Sequence, residues 1–207
     1  MPLQEYHDIK SYLTKLSQDS NSGNQPGVSG GAAKAPPGAS AGNKFVVETS
    51  HVVDLIASES KRNDRPITGR VSVDVKTKRK MASIQKQRIA DIILFQPNAL
   101  FDLRLSMSVE LPFELDDEAY ENFKKKVSLR REKDRMSFIH QSTFTRFDLT
   151  KVKQNKQSRY ELEMELNTPE LLKGMRLVSD DPLYYSDLVQ AFLDNGRVIV
   201  RQLSVHY

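Results

Sequence analysis

Tyr160-Glu161-Leu162-Glu163-Met164-Glu165-Leu166-Asn167 alternates between acidic and apolar residues. Read as a strand, it puts Glu161, Glu163 and Glu165 on one face and Leu162, Met164 and Leu166 on the other. Carboxylates two residues apart on a strand stand roughly 6.5–7 Å apart. Three like charges in a row repel one another unless something positive faces them. That can be water and salt, a set of lysines and arginines, or a divalent ion that takes hard oxygen ligands. For one such strand alone, a solvated outer face is the commoner outcome, so the neighbouring segments must decide.

Three other segments repeat the pattern with mixed charges. Pro66 to Thr77 sets Arg70, Ser72, Asp74 and Lys76 against Val71, Val73 and Val75. Phe101 to Glu110 sets Arg104, Ser106, Ser108 and Glu110 against Leu105, Met107 and Val109, and Leu111-Pro112 closes it. Thr145 to Val152 sets Arg146, Asp148 and Thr150 against Phe147 and Leu149. A sheet curled with these faces inward encloses a wet, charged channel, where acidic groups suit a metal and basic groups a phosphate. Its apolar faces would then be covered by helices. A flat sheet with salt-bridged pairs on its solvent side fits the same pattern.

The remaining chain supplies the frame. Leu3, Tyr6, Ile9, Leu13 and Leu16 recur at near-helical spacing, which predicts a helix over Leu3 to Gln18. Asp19 to Gly42, rich in Ser, Gly, Ala, Asn and Pro, reads as a flexible loop. Lys44 to Glu48 and His51 to Ala57 read as two short strands, followed by a polar turn over Ser58 to Asp64. Lys86 to Gln96 and Met136 to Gln141 are further strands, and Glu114 to Arg130 is a charged, partly helical segment. Thr168-Pro169-Glu170 starts a helix with Thr168 as its cap. A second helix runs from Pro182 to Leu193, with Asn195-Gly196 as its C-cap and Arg197 to Val205 as a last strand.

The 207 residues suffice for one domain with a sizeable core. The net charge of +4 tolerates anionic partners without proving one. There is no cysteine, hence no disulfide framework or thiolate metal site, and four scattered histidines argue against a zinc cluster. No apolar run approaches membrane-spanning length and no signal-peptide core opens the chain, so a soluble, intracellular protein is expected.

The glutamate strand, continued through Thr168-Pro169, resembles the C-terminal glutamate motif of the fungal mRNA 5′-triphosphatases. These are the beta subunits of the mRNA capping enzyme, within the triphosphate tunnel metalloenzyme (CYTH-like) superfamily. Four more segments resemble that family in the same order: Arg70 to Lys76, Phe101-Asp102-Leu103-Arg104 through Glu110-Leu111-Pro112, Lys133-Asp134-Arg135-Met136-Ser137-Phe138-Ile139-His140, and Thr145 to Val152. The resemblance covers about Asn43 to Tyr207. It implies an α+β fold, an antiparallel eight-stranded β-barrel with flanking helices. Residues 1–18 would be a helix of that same domain, 19–42 its loop and 43–207 the tunnel.

The implied activity is metal-dependent removal of the γ-phosphate from the 5′-triphosphate end of nascent mRNA, the first step of capping. Mg2+ or Mn2+ is the implied cofactor, the mRNA guanylyltransferase (capping enzyme alpha subunit) the implied partner, a homodimer the implied assembly and the nucleus the implied compartment. Residue by residue, the resemblance makes Glu165 a metal ligand, with Glu163 and Glu161 completing the acidic floor. Glu163 and Glu161 would orient metal-bound and attacking water, and Glu110 would position or activate that water. Arg70, Lys133 and Arg135 would grip phosphate, together with Lys86 and with Arg104, where the family's usual residue is Lys. Arg146 and Asp148 would form a supporting ion pair beside Thr150.

The family's other metal-binding strand, with its own alternating glutamates, finds no match before Asn43, so the barrel is expected to lack its first strand. A truncated gene product or gene model, a non-catalytic paralogue that binds polyphosphate or capping partners, and a strand supplied by another chain all fit that expectation. A metal held from one strand should bind weakly.

Overall fold

The computed structural model describes residues 1–22, 44–62, 65–96 and 100–204. In chain order the elements are α1 (Leu3–Asn21), β1 (Phe45–Arg62), β2 (Arg65–Asp74), β3 (Lys80–Leu94), β4 (Leu103–Pro112), α2 (Asp117–Lys125), β5 (Leu129–His140), β6 (Thr145–Gln154), β7 (Gln157–Leu166), α3 (Thr168–Arg176) and α4 (Pro182–Ser204). The strands form one sheet in the order β4-β3-β2-β1-β5-β6-β7, and β1–β2, β2–β3 and β3–β4 pair antiparallel. Seven strands are described, one fewer than the eight the resemblance implies. No described helix is long and apolar enough to cross a membrane.

Several expected boundaries move. The two short strands before residue 58 are one continuous β1, and Ser58 to Arg62, expected as a turn, extends it. The polar side chains there had suggested a turn, but backbone pairing carries the strand on to Arg62 opposite Arg65. β3 starts at Lys80 rather than Lys86, and β5 takes in the whole charged run from Leu129. Of the expected loop 19–42, Asp19–Asn21 belong to α1 and 23–42 lie outside the described residues. Asn167, not Thr168, caps α3: its side chain accepts the Glu170 N–H at 3.1 Å.

The expected C-terminal strand is helix. α4 continues unbroken from Pro182 to Ser204. Val198-Ile199-Val200 suggested β structure, but Ile199, Val200 and Leu203 are buried while Val198 is exposed, which is helical spacing. Asn195 caps nothing: its amide donates to Thr143 Oγ1 and Thr145 Oγ1, both at 3.1 Å.

The chain divides into two compact units that share strands: residues 1–49, 136–150 and 160–207 in one, 50–135 and 151–159 in the other. In the first, Ile9 and Leu13 of α1, Leu188 and Leu203 of α4, and Phe138, Phe147 and Leu149 of the strands are all buried. In the second, α2 covers the apolar face of β1 and β2. Ala57, Val71 and Phe123 are its buried centre, flanked by Leu55, Val73, Phe113 and Tyr120. α2 is well specified by its ends. Asp116 accepts the Ala119 N–H at 2.7 Å, Asp117 and Glu118 lie in the first turn and Lys124 and Lys125 in the last, complementing the helix dipole. Gly69 lets Phe123 close on the sheet: a Cβ there would stand 3.2 Å from the ring.

The apolar faces are not all covered. Ile92, Met107, Val109 and Leu111 share the outer face of β3 and β4 and remain exposed.

Candidate functional site

Strand alternation places the charged residues, and each unit carries its own group of them. In the second unit, β1 and β2 put Asp54 opposite Ser72. Ser72 Oγ donates to Asp54 Oδ1 at 2.6 Å, and Lys133 Nζ of β5 reaches Asp54 Oδ2 at 2.7 Å. Both members of this ion pair are buried, Asp54 at 2% and Lys133 at 7% exposure. Burial alone would raise the Asp54 pKa. The Lys133 ammonium, the Ser72 hydroxyl and the charge of Arg70 outweigh it and hold the carboxyl below its ordinary value.

Arg70 lies on the same face, two residues along β2 from Ser72. Its Nη2 stands 3.6 Å from Glu110 Oε1, and Lys86 Nζ approaches the same oxygen at 3.2 Å. The β3–β4 register makes Lys86 and Glu110 direct partners. Arg70 Nε is buried and donates to nothing among the described residues. Arg135 follows Lys133 by two on β5 and shares its face. Lys133 and the charge of Arg70 thus meet at Asp54, a residue the sequence reading passed over, and Arg70 in turn reaches the Glu110 that Lys86 also holds. Asp54 is the lone acid in His51-Val52-Val53-Asp54-Leu55-Ile56-Ala57, and only strand register reveals its partners.

Arg104 stands apart from that group. It lies six residues before Glu110 on the same face of β4, about 20 Å away along the strand.

In the first unit, Arg146 of β6 donates from Nε to Asp148 Oδ1 and from Nη2 to Ser137 Oγ, both at 2.8 Å. Glu48 Oε2 stands 4.0 Å from Nη1. Asp148 and Thr150 are fully buried on the same face. Burial would lower the Arg146 pKa, yet the carboxylates of Asp148, Glu165 and Glu48 raise it. Glu161, Glu163 and Glu165 alternate along β7. Among the described residues, no group of three or more His, Cys, Asp or Glu side chains could hold a metal ion between them. Hard carboxylate oxygens nevertheless suit Mg2+ or Mn2+, and a small divalent ion commonly takes one or two carboxylates with water and substrate phosphate. Glu163 and Glu165 on β7 are donors of that type and would be the residues to hold such an ion.

The family model for "mRNA capping enzyme, beta chain" matches residues 1–205. The chain belongs to this family. Among capping enzyme beta subunits, that of Candida glabrata is 33% identical over 169 residues, which cover 78% of this chain and 28% of that protein. That of Kluyveromyces lactis is 35% identical over 176 residues, covering 78% and 31%. The chain therefore spans about a third of the length of these curated relatives. Among solved structures, S. pombe Pct1 RNA triphosphatase in complex with the Spt5 CTD superposes with a TM-score of 0.76 and 30% identity, over 98% of this chain and 70% of that one. The same protein alone gives 0.73 and 29%. An antiparallel sheet with flanking helices, matching the fold of that triphosphatase, is thus established for this member of the beta-chain family.

Proposed function

We propose that this chain removes the γ-phosphate from the 5′-triphosphate end of nascent mRNA, the opening step of capping. The observation that carries the reading is the buried Asp54–Lys133 pair beside Arg70, whose buried Nε has no acceptor among the described residues. A cation this deeply buried is costly to place, and phosphate is the ligand such donors suit. The names of the beta-subunit relatives and of the Pct1 triphosphatase support the same substrate class.

In this reading Arg70, Lys86, Lys133 and Arg135 hold the phosphates and offset charge that grows as the terminal phosphoryl group leaves. Asp54 and Ser72 fix the Lys133 ammonium in place. Glu110, held by Arg70 and Lys86, orients the attacking water. Glu163 and Glu165 hold the divalent ion, Glu161 completes the acidic row, and Arg146 with Asp148 stiffens the adjoining strand. A bound Mg2+ or Mn2+ would supply further neutralisation of phosphoryl charge. An eight-stranded tunnel fold, of which seven strands are described, belongs to the same proposal. So do nuclear location, a homodimer, and pairing with the guanylyltransferase that the relatives' subunit naming suggests.

The test is release of γ-phosphate from 5′-triphosphate RNA with Mg2+ and with Mn2+. Arg70→Ala, Lys133→Ala and Glu165→Gln should each lower turnover by about 10²-fold or more. Unchanged turnover in Lys133→Ala would sink the reading. A second reading, phosphate binding without turnover, draws on the absence of a three-carboxylate cluster among the described residues. Tight 5′-triphosphate binding that Arg70→Ala abolishes, with no phosphate released at any divalent concentration, would favour it.

A further inference from the structure

The charged face of β3 and β4 continues well beyond Glu110. Because β4 alternates without a bulge, Ser108, Ser106 and Arg104 share the Glu110 face. Register places Arg88 opposite Ser108, Asp91 opposite Ser106 and Ile93 opposite Arg104. The β3 bulge between Arg88 and Ala90 absorbs one extra residue, which brings Asp91 onto this face beside Arg88. Arg88 Nη1 contacts Asp91 Oδ2 at 3.4 Å. Among the described residues of β3 and β4, Asp91 is the acid on this face beyond Glu110, and Arg88 matches it; Asp102, before β4, accepts the Gln96 N–H. Arg104 is exposed and makes no ion pair among the described residues.

A single triphosphate held at Arg70 and Lys86 does not reach a guanidinium about 20 Å along the strand from Glu110. A longer polyanion does. Resting on the triphosphatase reading above, we infer that Arg88, Ser106, Ser108 and Arg104 form a track for the RNA backbone behind the triphosphate. Arg104 grips a downstream phosphodiester rather than the reacting phosphates. Serine hydroxyls at every second position donate to phosphate oxygens without sequence preference, and phosphate contacts of this kind position a strand without reading it. Free nucleoside triphosphate, which has no downstream phosphate, gains nothing from the track.

The full chain and its Arg104→Gln variant would be titrated with a 5′-triphosphate oligonucleotide of about ten nucleotides, with a 5′-hydroxyl oligonucleotide of the same sequence, and with ATP as competitor. This long face needs more than one nucleotide to span it. Arg104→Gln should weaken the oligonucleotide relative to ATP by about five- to tenfold, as expected for one charge-assisted contact. It should also reduce the slope of log affinity against log salt by about 0.7, one single-strand phosphate. An unchanged oligonucleotide-to-ATP ratio, or an unchanged slope, overturns the track. Failure of the triphosphatase reading shows separately, as equal binding of triphosphate and hydroxyl oligonucleotides by the unaltered chain with no phosphate released. In that case the loss of 5′-hydroxyl oligonucleotide binding in Arg104→Gln still decides for the track, and equal binding decides against it.

Discussion

Asp54 makes the clearest case for how one residue governs its surroundings. Its carboxylate neutralises the buried Lys133 ammonium at 2.7 Å. Asp54→Ala leaves that ammonium buried and unmatched, a change that typically costs about 3–5 kcal/mol. The melting temperature should fall accordingly, with recovery in the double variant Asp54→Ala/Lys133→Met, measured by thermal unfolding. The pair also sets a pH window. The folded Asp54 value lies below the ordinary 3.8, so on acidification the unfolded chain takes up this proton first. The pair's contribution is present above 3.8 and is lost as pH falls through the folded value. His140 acts higher on the scale. Burial holds its pKa below 6.5, and Nδ1 lies 2.7 Å from Thr143 Oγ1. The unfolded chain therefore protonates first as pH falls through 6.5, and stability declines there. His140→Asn should flatten the rise in melting temperature between about pH 5 and 7, and an unaltered profile would show that His140 does not cause it.

At the scale of elements, α2 illustrates how sequence signals and tertiary packing combine. Its caps and end charges are local, but its position over β1 and β2 depends on Phe123, buried against Ala57 and Val71. Phe123→Ala should cost about 3–5 kcal/mol in denaturant unfolding. A loss below about 1 kcal/mol would mean that the cluster around Val71 holds the helix without the ring. The alternating strands were legible because a period of two survives any neighbour. α4 was not legible past Leu193. Asn195-Gly196 and Val198-Ile199-Val200 carry the local signals of a cap and a strand. Burial of Ile199, Val200 and Leu203 and the bonds from Asn195 to Thr143 and Thr145 override them.

At the scale of the whole molecule, an apolar stripe of β3 and β4 stays exposed. Ile92, Met107, Val109 and Leu111 are each more than two-fifths exposed on one face. Contiguous apolar surface of this kind marks an interaction site or an aggregation liability. If the homodimer proposed above forms through this face, Met107→Glu combined with Ile92→Lys should abolish concentration-dependent self-association in sedimentation velocity. Sedimentation identical to that of the unaltered chain would exclude this face as the contact. The substitutions leave the opposite face of the hairpin, with Lys86 and Glu110, in place.

By itself the sequence determined which residues share a face. Strict alternation assigned Glu161, Glu163 and Glu165 to one side of β7, and Arg146, Asp148 and Thr150 to one side of β6, because side-chain direction in a strand is a local property. The ordered segments also determined the family. Tertiary structure alone decided which of these faces meet which charges. Register joined Lys86 to Glu110 and set Asp54 beside Ser72. Such pairings depend on strands distant in the chain, so their energies are long-range contacts that no local pattern encodes.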